Sequence, residues 1–250
     1  MSAKSENFSV VSYNLWFDQM CQIERIQQII CIIFSLRPDV VCLQEVTPRI
    51  YSIFDSLLRE VYNFSKTEIK NSYETLILSR HKITRSVTFP FRSTKMGRDL
   101  HIIEIEREDK TSVTVGTMHL ESLFGAQGRQ IKLEQLEQCF NIIRSHNSHG
   151  FFYLMGDTNL DFEKIDLPSN WIDAWIRAGS PPEHRYTFDV TRNNNIKGRY
   201  RSRLDRVLIR KNGLDQVSID SFFLIGTEPI SGSNIFPSDH FGIYCLTQIY

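Results

Sequence analysis

The sequence predicts a layered α/β domain in which strands and helices alternate along the chain. Three observations carry that expectation. Short apolar runs such as Val40–Leu43 and Phe151–Met155 read as buried strands. Segments with apolar residues at helical spacing lie between them and read as amphipathic helices. Carboxylates, amides and imidazoles recur just past the strands, where layered α/β folds gather their ligands.

At 250 residues the chain suits one large domain, and a single domain over 1–250 is expected, with its core at about 8–249. Lysine plus arginine and aspartate plus glutamate both number 29, so no global field draws in nucleic acid and any basic patch is local. The five cysteines are scattered, without a Cys-x-x-Cys pair. They read as reduced core residues of an intracellular protein, without structural zinc. Residues 1–7 carry no signal-peptide core, and no apolar run is long enough to cross a bilayer, so no membrane association is expected.

Phe8–Ser12 reads as the first strand, followed by Asn14 and Trp16. Ile23, Ile26, Ile29, Ile30 and Ile33 mark a helix that Pro38 stops. The strand Val40–Leu43 ends at Gln44-Glu45, and a second helix spans Ile50 to Val61. Tyr73–Leu78, Thr84–Phe89 and Leu100–Glu106 read as strands, with a polar basic loop, Ser93 to Arg98, before the last. Ser112–Met118 is a strand ending in His119-Leu120-Glu121-Ser122, and Ala126–Arg144 is helical. The strand from Phe151 ends in Gly156-Asp157-Thr158-Asn159. Residues two apart on an extended chain point the same way, so Asp157 and Asn159 can enter one cleft. Trp171–Ala178 reads as a short amphipathic helix. The most basic stretch, 192–211, carries Arg199, Arg201, Arg203 and Arg206 and runs into the strand Val207–Ile209. Ser238-Asp239-His240 precedes the closing strand, Ile243–Ile249.

Each polar residue alone fits a turn or a solvated loop. Together, Asn14, Glu45, His119, Asp157, Asn159, Asp205, Asp239 and His240 form an oxygen-rich set without thiolates, which suits Mg²⁺ better than zinc. Such a set fits phosphodiester hydrolysis. A metal polarises the phosphoryl oxygen, a carboxylate takes a proton from water, and a histidine held by a second carboxylate stabilises the oxyanion.

Asn14, Leu43-Gln44-Glu45, His119 to Ser122, Gly156 to Asn159 and Ser238 to His240 occur in an order that resembles the endonuclease/exonuclease/phosphatase superfamily. Finer features are similar to the members that cleave tyrosine from a DNA 5′-phosphate. They are Ser93 to Met96 with Arg98, Leu160, Tyr186 to Asp189, Arg203 to Arg206, and Phe236-Pro237.

The resemblance implies a four-layer α/β sandwich of two packed mixed sheets flanked by helices. It implies Mg²⁺-dependent hydrolysis, with Mn²⁺ as a substitute, in a nuclear, monomeric DNA-repair enzyme. Its substrate would be 5′-tyrosyl DNA with a single-stranded end, its leaving group a peptide of a trapped topoisomerase II. It makes Glu45 the metal ligand, with Asn14 in the same shell. Asp157 activates water, Asn159 orients it, His240 stabilises the transition state, Asp205 orients His240, and Asp239 supports the site. His119, Ser122 and Tyr73 would meet the phosphate, and Trp16, Lys95, Arg98, Phe188 and Arg203 the DNA.

Three positions depart from the family pattern: Trp16 where many members have Asp, Asp161 where many have Arg, and Phe188 where Trp is common. Asp18 lies two residues past Trp16 and offers a second route to the metal through water. Other activities of the superfamily remain as alternatives: an apurinic endonuclease, a deadenylase, or an inositol or lipid phosphatase. So does a catalytically silent DNA-binding scaffold on the same fold.

Overall fold

Val10 and Val11 are neighbours in the chain yet lie in different cores, because successive strand side chains point to opposite faces. The same alternation splits Val40 and Cys42 from Val41 and Leu43, and Tyr153 and Met155 from Phe152 and Leu154. Strands apolar on both faces must be covered on both, and that need builds the layers. The computed structural model describes residues 6–145, 151–161, 165–211 and 217–249.

In chain order the elements are β1 (Glu6–Asn14), α1 (Gln22–Leu36), β2 (Val40–Val46), α2 (Pro48–Leu58), β3 (Asn63–Phe64), β4 (Glu74–Ser79), β5 (Lys82–Pro90), β6 (Asp99–Glu106) and β7 (Ser112–His119). There follow α3 (Gly125–Ser145), β8 (Phe152–Asp157), β9 (Trp171–Asp173), α4 (Ala174–Arg177), β10 (Phe188–Asp189), β11 (Arg201–Ser202), β12 (Asp205–Arg210), β13 (Val217–Ile225) and β14 (Gly242–Ile249). One six-stranded sheet runs β13-β14-β1-β2-β4-β3 and the other β5-β6-β7-β8-β12-β9. Both are mixed: β1–β2 and β7–β8 are parallel, whereas β1–β14 and β8–β12 are antiparallel.

Three apolar clusters fill the gaps between layers. One joins the sheets through Phe8, Val10, Val40, Ile103, Val115, Tyr153 and Val207. A second seats α1 and α2 on the first sheet through Ile26, Ile29, Ile33, Ile50, Phe54 and Leu58. The third seats α3 on the second sheet through Leu136, Cys139, Phe140 and Ile143 against Phe152 and Leu154. The result is the four-layer sandwich. Two polar contacts also stitch the sheets: Gln44 Nε2 donates to Thr117 Oγ1 at 3.0 Å, and Tyr153 Oη lies 2.6 Å from Thr247 Oγ1.

Two expectations need correction. Trp171–Ala178 is not one helix. Trp171–Asp173 pairs with β12, and the Asp173 carboxylate then caps the short α4 by accepting from Trp175 N. An edge pairing outweighs local helical periodicity there. The cysteines are all free, as expected, but Cys21 and Cys31 are exposed, and only Cys42, Cys139 and Cys245 are buried. Among the described residues, no helix is long and apolar enough to cross a membrane.

Candidate active site

Register brings the polar side chains together. His119, the last residue of β7, stands opposite Asp157 of β8, and Asp157 stands opposite Asp205, the first residue of β12. Three adjacent strands thus present an imidazole and two carboxylates in one rank at a sheet end. On the facing sheet, Asn14 ends β1 opposite Gln44 of β2, and Glu45 follows. Asn14 Nδ2 donates across the gap to Asp157 Oδ2 at 3.0 Å and lies 3.4 Å from Glu45 Oε1. His119 Nε2 sits 3.4 Å from Asp157 Oδ2 and 3.9 Å from Glu45 Oε1.

The backbone is bent to make this cluster. Glu45 has φ +61° and lies where the β2–β4 register shifts, so a bulge re-aims its carboxylate. Asn159 also has positive φ; its N–H donates to Asp157 Oδ1 at 2.8 Å and its Nδ2 to Leu120 O. Gly156 has φ +140°, and a Cβ there would run into the Met118 carbonyl of β7. Glycine is therefore required immediately before Asp157.

His240 enters from the loop before β14. Its Nδ1 is 2.8 Å from Asp205 Oδ2 and its Nε2 3.8 Å from Asp157 Oδ2. Burial opposes its charge, but Asp205, Asp157 and Asp239 together raise its pKa well above the usual histidine value. The surrounding carboxylates thus favour the charged form of the ring. Asp157 is also buried, yet His240, His119 and the Asn159 amide hold its carboxyl below the usual range. Asp239 is pushed up to about 6 by burial and by the charges of Glu45 and Asp157.

Burial is the main cause, and the repulsion of Asp239 by Glu45 and Asp157 is the part that a divalent cation would relieve. The carboxylate oxygens fit a hard cation: Glu45 and Asp157 would hold it, with the Asn14 amide beside them donating to both and its oxygen accepting from Trp16 N. Asp157, Asp205 and His240 also offer donor atoms within 4.8 Å of one another. The His240–Asp205 hydrogen bond already occupies that space, so this trio reads as a positioned imidazolium and not as a metal cage.

Arg98 and Tyr73 line the other flank. Arg98 NH1 is 2.6 Å from His119 Nδ1. A guanidinium can only donate, so Nδ1 accepts and the ring proton sits on Nε2, facing the cleft. The Arg98 guanidinium lies 5.1 Å from the Tyr73 ring centroid, and Tyr73 stacks on Phe17 at 5.0 Å and 5°. Ser122 Oγ contacts Met96 Sδ at 3.2 Å beside this wall. The Lys95 side chain is exposed, while its N–H donates to Glu121 Oε1. Phe188 meets the His240 ring edge-on at 5.0 Å, with half-exposed Tyr200 beyond it. Trp16 is half-buried beneath the Arg25 guanidinium. Asp18 is exposed, and its carboxylate caps Met20 N. Asp161 is exposed as well.

Two assignments to a DNA surface are corrected. Arg203 is buried: it pairs with Asp173 at 2.7 Å and covers Trp175, so its charge serves the core. Arg98 is buried too and acts on His119 and not at an open surface.

Other site residues carry no sequence signal strong enough to single them out. Arg25 is fully buried and donates to the carbonyls of Leu15, Trp16, Asp18, Met20 and Pro237, which locks the loop after β1 to the loop carrying His240. In the sequence it is one polar residue of an amphipathic helix. Asn193 and Asn195 donate to Ser238 O, and Thr187 Oγ1 accepts from the amides of Leu204 and Asp205. The asparagines look like loop residues until the fold brings them together.

Fold and site define a phosphoester hydrolase of the metal-assisted kind. The chain belongs to the endonuclease/exonuclease/phosphatase family, which it matches over residues 11–240 and whose members depend on a divalent metal. It is 30% identical to tyrosyl-DNA phosphodiesterase 2 of Xenopus tropicalis, over 98% of this chain and 68% of that protein. To the Homo sapiens protein of the same name it is also 30% identical, over 97% of this chain and 68% of that one. The chain thus spans about two thirds of the length of these relatives. Among solved structures, D. rerio TDP2 complexed with single-strand DNA product superposes with a TM-score of 0.87 at 28% identity, covering 97% of this chain and 99% of that one. Truncated Caenorhabditis elegans TDP2 gives a TM-score of 0.86 at 28% identity, with 96% and 97% covered.

Proposed function

We propose that this protein hydrolyses the phosphodiester between a tyrosine and a DNA 5′-end, with Mg²⁺ as its metal, and leaves a 5′-phosphate. The carrying observation is the cleft that holds Glu45, Asp157 and the Asp205–His240 pair within reach of one phosphate, walled by Tyr73 and Phe17. Relatives of similar fold are named for this activity.

The residues divide the work as follows. Asp157, ionised and fixed by Asn14 and Asn159, accepts the proton of the attacking water, which Asn159 orients. A carboxylate so well stabilised is a weak base, and a bound divalent cation supplies the acidity that makes water a matching donor. The His240 imidazolium, oriented by Asp205, donates from Nε2 to the phosphoryl oxygen as charge builds there. His119 Nε2–H serves a second oxygen, while the Ser122 hydroxyl is engaged by Met96 Sδ. The leaving tyrosine departs as a phenolate whose free pKa is about 10, so a strong general acid is unnecessary. The Tyr73–Arg98 wall stands where an aryl group would leave. DNA would run over Phe188 and Tyr200, and exposed Lys197, Arg199 and Arg201 would meet its phosphates.

The same reading makes the protein a monomeric nuclear repair enzyme acting on topoisomerase II peptides. Single-turnover assays with a 5′-phosphotyrosyl oligonucleotide test it: tyrosine and a 5′-phosphate strand are expected with Mg²⁺, and no release in chelator. Nicking of abasic DNA, or shortening of poly(A), without tyrosine release would move the protein to another activity of the family.

A further inference from the structure

A second cleft opens where the sheets splay at one edge. It is lined by the loop from β3 to β4 (Ser65, Lys66, Thr67, Asn71), by Glu74 at the start of β4, by the outer strand β5 (Ser86, Thr88), and by Arg98 and Asp99. Its volume is about 580 Å³, within the range of sites that enclose small ligands. It shares Glu74, Gly97, Arg98 and Asp99 with a narrow neck that also touches Tyr73 and His119. Tyr73 and His119 therefore lie directly behind the residues that line this cleft, with Arg98 between the two.

We propose that the cleft receives the peptide still attached to the leaving tyrosine; the inference rests on the function proposed above. Charge argues for a peptide and against a DNA strand. Lys66 is already paired with Glu74 at 2.7 Å and Lys70 with Glu68 at 3.4 Å, and Asp99 adds a further carboxyl. No cationic excess is left for a row of phosphates, whereas peptide amides need only hydrogen bonds. Donors and acceptors for them are present. β5, as the outer strand of its sheet, presents main-chain groups that an extended peptide can pair with. Exposed Arg199 and Arg201 flank Tyr200, which contacts Phe188 on His240, and they offer the strand a surface of its own.

The test uses the full chain with Mg²⁺ and two oligonucleotides of one sequence, bearing a 5′-tyrosine or a 5′-tyrosyl decapeptide. The readout is the ratio of kcat/KM for the peptide substrate to that for the tyrosine substrate. Thr88 is exposed on β5, and Thr88→Trp fills the cleft without touching the site. It should lower the ratio at least about fivefold, mainly through KM, and Thr67→Trp on the opposite wall should do likewise. Thr88→Ser should keep the native ratio. A ratio that stays native in both Trp variants overturns the proposal, as does an equal loss on both substrates, which would place DNA in the cleft. If the native protein cleaves neither substrate, the proposed activity fails and this subsite with it.

Discussion

Asp157 is the side chain on which the others converge. It accepts from Asn14 and from the Asn159 amide and faces both histidines. Asp157→Asn keeps the size and most of these contacts but removes the base. kcat should fall about 10²–10⁴-fold, with DNA affinity retained in a binding titration. Glu45→Gln should abolish Mg²⁺-dependent turnover while the melting curve stays native; turnover that persists would remove Glu45 from the metal. Asp205→Asn leaves His240 in place but withdraws its main counter-charge, and kcat should fall about 10²-fold with little change in KM. All three residues are legible in the sequence because each sits in a short motif at a strand end. Arg98 shows the limit of such reading. Its motif marks it as functional, yet only its burial and its 2.6 Å contact show that it acts on His119.

Secondary-structure elements explain why those side chains arrive where they do. Gly156 lies in β8 against the Met118 carbonyl, so Gly156→Ala should cost about 2–3 kcal/mol in urea unfolding. The β5–β6 pair carries a pH sensitivity of its own. His101 of β6 is fully buried with Nε2 on Ser86, and burial together with nearby Lys66 lowers its pKa to about 3, with Glu74 opposing. Between that value and the unfolded value of 6.5, only the unfolded chain takes up the proton. Stability should therefore fall on acidification, by up to about 1.4 kcal/mol per pH unit from this one group. His101→Gln should flatten that part of the slope in urea melts at pH 7, 6 and 5; identical slopes would refute it. Helical periodicity locates α1, α2 and α3 because each has one apolar face on a sheet. It misassigns Trp171–Asp173, where the deciding partner, β12, lies more than thirty residues downstream.

Across the whole molecule, what stays hidden from the sequence is what long-range contact decides. The two-sheet sandwich follows from strands apolar on both faces, but the union of Asp173 with Arg203 and Arg206 joins segments that local patterns leave unrelated. Those arginines look like a basic surface and prove to be an ionic core. Asp173→Asn would withdraw the carboxylate that both buried guanidinium groups share and should cost about 3–5 kcal/mol, read as a lower urea midpoint. Arg25 likewise appears as an ordinary helix residue until the Leu15 and Pro237 loops close on it.

The pocket's two halves ride on different sheets: Asn14 and Glu45 on one, His119, Asp157 and Asp205 on the other. A slip of one layer past its neighbour by an ångström or two would leave every backbone ladder intact and still pull Asn14 away from Asp157. Turnover should accordingly fade in mild denaturant before circular dichroism registers any loss of secondary structure, so that the enzyme reports on the cohesion of its own interlayer seam.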